Sequence, residues 1–129
     1  MKRTLTALAL VVASLAAPAH ADRESQANLR CTEAMIPMMS AAARMGESDE
    51  QISLETIKIR ADLMVVFGQL YDLGYLLRER NQPDPEAKLR SVMLEKIKLE
   101  DWAQDLNETE QAMLINAMVK AVEDGYHVE

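Results

Sequence analysis

The chain of 129 residues is poor in the residue types on which recognisable chemistry is built: one cysteine, two histidines, four glycines, four prolines and one tryptophan. A single cysteine excludes an internal disulfide framework and every cysteine-rich zinc site. So few glycines leave no Gly-rich loop whose amides could cradle a phosphate. Aromatic residues make up only 4% of the chain, and β-branched alternation is scarce, so nothing favours an all-β fold. With 49% hydrophobic and 27% charged residues, the balance is still that of a folded protein.

What is present begins with an address. Lys2 and Arg3 precede an apolar run from Leu5 to Ala17, interrupted by Thr6 and Ser14, and Pro18 leads into Ala19-His20-Ala21. A basic start, a short apolar stretch and a small-x-small triplet make up a secretory signal peptide over residues 1–21. The run is too short to span a bilayer. Cys31 follows Asn28-Leu29-Arg30, without the small residues that lipid attachment needs. The expected product is residues 22–129, one exported domain, periplasmic or secreted, with no membrane insertion after cleavage. It carries 12 Lys and Arg against 21 Asp and Glu, a net charge of −9. Such a surface repels nucleic acid and anionic membranes, and it allows a basic protein partner, but acidity is also a common route to solubility and charge alone does not choose.

Helical periodicity fills that domain. Apolar residues recur at helical spacing from Arg23 to Met45, Gly46 provides a stop, and Pro37 predicts a kink or break near Ile36. Ser48 with Gln51 is a capping box for a second helix that runs to about Arg80, with a break near Ser53 considered. Asn81-Gln82-Pro83-Asp84-Pro85 is the clearest punctuation, with Asp84 as N-cap of a third helix reaching about Leu106. Asn107 caps a fourth, and Gly125 is placed past its end. The predicted fold is therefore all-α, an up-down-up-down bundle of about four helices.

At 100° per residue, Ile52, Ile59, Leu63, Val66, Phe67, Leu70, Leu73 and Leu77 share the core face of the second helix. Ile57, Met64, Tyr71 and Tyr75 form an adjoining shoulder. Tyrosines of this kind suit interfaces, so Met64, Tyr71 and Tyr75, with Trp102 on the third helix, are the candidate partner-binding residues. Gly68 and Gly74 would admit a close backbone approach. The fourth helix is apolar almost all round, from Ala112 to Val122, which adds weight to a homodimer.

Catalytic constellations are missing, so no enzyme is expected. Asp101 and Asp105 lie one turn apart but among other charges, and Arg60, Arg78 and Arg90 do not obviously converge. No cofactor is expected on the leading reading. The rival is a copper or haem carrier that uses the soft donors Cys31, Met35 and Met38 of the first helix, with His127. Burial alone would produce the same stripe, since Met is a common core filler. Glu123, Asp124 and His127 are a weaker chelating set, undermined by the intervening Gly125. The expected function is a small exported binding protein working through protein–protein contacts, such as an inhibitor, an immunity-type protein or a chaperone-like partner.

Overall fold

The computed structural model describes residues 22–128, so the expected signal segment lies outside the described residues. Four helices pack together: α1 (Arg23–Arg44), α2 (Asp49–Glu79), α3 (Glu86–Lys98) and α4 (Glu108–Tyr126), with a short 3₁₀ helix, Asp101–Asp105, before α4.

Local chemistry sets the ends. Ser48 and Asn107 each accept a bond from the backbone N–H three residues on, while Gln51 and Glu110 reach back to the capping residue's own N–H. Each box satisfies two amides that a helix start otherwise leaves open. The stops of α1 and α2 share one geometry. Gly46 and Asn81 sit at positive φ, and the next residues, Glu47 and Gln82, donate back to Ala42 and Leu77. That is the left-handed closure that glycine and asparagine tolerate best.

Four boundaries differ from the sequence expectation, the last of them at Gly125 in α4. α1 runs unbroken through Pro37, which is buried among Ala34, Met35 and Met38, so packing holds the turn despite its missing amide bond. α3 stops at Lys98 rather than near Leu106, and the remainder is taken up by the 3₁₀ helix. Asp84 lies one residue before the helix N-cap, Pro85, and its Oδ1 accepts from the Glu86 amide at 3.0 Å.

Residues early in α1 meet residues late in α2 and α4. Arg23 bonds Asp72, with Nε to Oδ1 at 2.6 Å and Nη2 to Oδ2 at 2.7 Å. Arg30 grips Asp124 through Nε at 2.7 Å and Nη2 at 3.1 Å. At the other end Arg44 reaches Glu110 at 2.6 Å. α1 is thus antiparallel to both α2 and α4, which run in the same direction as each other. These two-pronged arginine contacts fix orientation as well as adding charge-assisted bonds.

The hub is α4. It packs against α1, α2 and α3, and Leu114, Ile115, Ala117, Met118, Val119, Ala121 and Val122 are all buried. Most of its wide apolar surface is buried inside the chain, and Ala112 and Met113 of the run stay exposed. Gly125 does not end this helix. It lies within α4 because the α2 backbone crosses there: a Cβ on Gly125 would stand 1.8 Å from the Tyr71 carbonyl oxygen. Reciprocally, a Cβ on Gly74 would stand 1.8 Å from the Val122 carbonyl oxygen. Two glycines, one from each helix, thus let the backbones touch.

Candidate functional site

The candidate contact residues on the α2 shoulder are dispersed by the packing. Tyr71 is only 1% exposed, because it lies at the α2–α4 crossing, where its carbonyl meets Gly125. Burial comes first among the causes that raise its hydroxyl's pKa. Its only outlet is the cleft it lines with Asp22, Gln26 and His127, so it stands apart from Met64 on the shoulder. Met64 is half-buried against the core cluster. Tyr75 is half-buried, and its hydroxyl, bonded to Glu79, is harder to ionise for that reason first. Trp102 has its backbone in the 3₁₀ helix, and its side chain lies outside the described part of the structure.

The soft-ligand stripe is core. Cys31 is 0% exposed, and burial pushes its thiol pKa up, away from the thiolate that binds metals. Met35 and Met38 are buried beside it and pack into the same core cluster. Where Met35, Met38 and Met39 face Ile52, Thr56 and Ile59 of α2, only about 10 Å³ of free space remains. That is no more than one water needs, and far below any haem. His127 sits at the far end, sharing a cleft with Asp22 and Gln26 at the start of α1. Met38 lies twelve residues beyond Gln26, or about 18 Å along the helix axis. The four candidate ligands Cys31, Met35, Met38 and His127 therefore do not converge.

The arginines do not converge on a pocket either. Arg60 bonds Asn28 and Thr32 on α1, whereas Arg90 bonds Glu86 and Asn116.

Two features remain, and the first is a cluster the sequence only half revealed. His127 caps the end of α4, its amide donating to the Glu123 carbonyl, so it is not in a frayed tail. Its Nε2 lies 2.9 Å from Glu123 Oε2 and 3.4 Å from Asp84 Oδ2. One ligating atom from each residue falls within 4.8 Å of the others. Burial, and then the facing Asp84 carboxylate, push the Glu123 pKa up to about 7. Asp84 moves the opposite way, chiefly through its hydrogen bond with Glu123. Asp124 takes no part, being held by Arg30. The Glu123/His127 spacing was visible in the sequence, but Gly125 hid it by looking like a helix stop. Asp84 arrives from a loop 39 residues earlier than Glu123, and no local pattern could announce that.

The second feature is a stripe on the outside of α2. Leu54, Ile57 and Val65 are 53%, 72% and 57% exposed, and Ala61 between them is exposed too. At 100° per residue these four fall within one 80° arc, opposite the buried Ile52, Ile59 and Leu63. Glu50, Glu55 and Asp62 stand at or beside it with the bases Lys58 and Arg60, so its margins carry both signs. Ile57 and Met64 mark its edge toward the shoulder singled out above.

Among the described residues, no helix is long and apolar enough to cross a membrane. No family model matches the chain, and comparison with curated proteins and with solved structures finds no similar protein.

Proposed function

We propose that this chain is an exported, non-catalytic helical module that binds another protein through the outer face of the first half of α2. The observation that carries this reading is the Leu54, Ile57, Ala61 and Val65 stripe. Single exposed apolar side chains are ordinary, but four aligned along one helix face, away from the chain's own core, make a contiguous strip. Helix faces of this kind lie in grooves through anchors three, four and seven residues apart. The net charge of −9 over residues 22–129 favours a partner whose groove is rimmed by Lys or Arg. An inhibitor or immunity-type role, or a chaperone-like one, fits that mode of action. Export is supported by the basic, apolar and small-residue succession of residues 1–21.

The test is a paired substitution, Ile57→Asp with Val65→Asp, in the protein recovered from cells that express the full chain. Both side chains point to solvent, so circular dichroism and thermal unfolding should stay as in the parent. Association, followed by sedimentation velocity and by crosslinking in the expressing cells, should be lost. Association with another protein that the pair leaves unchanged, or association only with a second copy, would refute the reading.

A further inference from the structure

We infer that Asp84, Glu123 and His127 form a binding site for one first-row divalent cation of the Zn²⁺ class, closed by the loop between α2 and α3. This inference uses different residues from the α2 face and does not depend on it. Its first support is distance. Metal–nitrogen and metal–oxygen bonds of about 2.0–2.2 Å place neighbouring ligand atoms about 2.8–3.6 Å apart, from octahedral to tetrahedral geometry. The observed separations from His127 Nε2, 2.9 Å to Glu123 and 3.4 Å to Asp84, fall in that span.

The second support is that the donors are held in place by bonds that leave their ligating atoms available. Asp84 spends Oδ1 on the Glu86 amide, leaving Oδ2 facing His127. The Tyr126 hydroxyl donates to the Gln82 carbonyl at 2.6 Å, tying the loop to the end of α4 independently of the cluster. Glu123 and His127 are one turn apart, with the helix carried through Gly125 by the α2 crossing.

The third support is an unmet need. Glu123 shares a hydrogen bond with Asp84, yet its buried Oε1 meets no N–H or O–H donor, a need that a proton, a water or an ion can fill. Among the described residues, neither Asp84 nor Glu123 pairs with Lys or Arg, so the imidazole is their shared counter-group. Two carboxylates and one imidazole are a donor set suited to Zn²⁺ and its neighbours. Mg²⁺ and Ca²⁺ prefer oxygen alone, and Cu(I) prefers sulfur. Three protein ligands would leave at least one coordination position open, and Glu123 and His127 line a cleft of about 430 Å³ with Asp22, Gln26 and Asp124.

The experiment is calorimetric titration of ZnCl₂ into the untagged, chelator-stripped protein, prepared by expressing the full chain. The expected result is one saturable site of micromolar or tighter affinity, weakened at least tenfold in both His127→Ala and Glu123→Gln. Zinc should also raise the melting temperature of the parent by several degrees and that of His127→Ala not at all. Co²⁺ in place of Zn²⁺ should give visible absorption that His127→Ala abolishes. His127 is exposed, so its variant should keep the parent's circular dichroism. Absence of a saturable site, or a site that both substitutions leave unchanged, would overturn the inference.

Discussion

The two halves of α2 differ in what their apolar residues do. From Val66 to Gly74 the helix is locked into its own chain: Val66, Phe67, Leu70 and Tyr71 are buried, Asp72 is gripped by Arg23, and Gly74 lets the α4 backbone touch. From Ile52 to Val65 only the inner face is committed, and the outer face carries Leu54, Ile57 and Val65 into solvent. One helix thus contains a region where packing leaves nothing over and a region where it leaves a strip. A hydrophobic residue in the first half cannot be assigned to core or surface from composition. It must be placed on its face.

The contrast can be broken most severely at the crossing. Gly74→Ala should destabilise by about 3 kcal/mol or more, because its new methyl meets backbone rather than a movable side chain. Urea unfolding would measure it, and a loss under about 1 kcal/mol would mean that the helices can part cheaply. Asp72→Ala comes next, at about 1.5–3 kcal/mol, since it leaves a guanidinium without its two-pronged partner. Part-exposure of Arg23 favours the lower end of that range.

Glu110→Gln sharpens the comparison at the start of α4. Glutamine can keep the capping box, so the substitution isolates the bond with Arg44. That bond, before the opposing effect of burial, holds the Glu110 pKa below the usual carboxylate range. The sign follows from linkage. A depressed folded pKa gives stability that is complete above the unfolded value, about 4.3, and fades as pH falls through the folded value. The variant should therefore lose about 1 kcal/mol at pH 7 and approach the parent's stability in acid. An equal deficit at both ends of the pH range would deny the ion pair its role. The smallest effect on folding belongs to the outer strip, where Ile57→Asp with Val65→Asp should change unfolding free energy by no more than about 0.5 kcal/mol per site.

Much of the architecture was legible because it is local. Ser48 with Gln51, Asn107 with Glu110 and the Asn81–Pro85 punctuation announce their helix ends in a few residues, and the core face of α2 follows from period alone. Glycine was legible only in part. Gly74 could be read as a point of close approach, but the same property at Gly125 was mistaken for a stop, because the sequence does not say which helix will cross it. The burial of Tyr71 was illegible for a related reason. An amphipathic shoulder becomes core or surface according to where α4 lies, and α4 turned out to be the hub. The carboxylate–imidazole cluster joins a loop to a helix end, so only Glu123 and His127 could be paired in advance.

The most direct test of the account is site-specific photocrosslinking from α2, with a photoreactive amino acid at Ile57 in one variant and at Lys120, exposed on α4, in another. A discrete adduct with another protein is expected from position 57 in the expressing cells, and none from position 120. Equal crosslinking at both positions, or none from position 57, would contradict it.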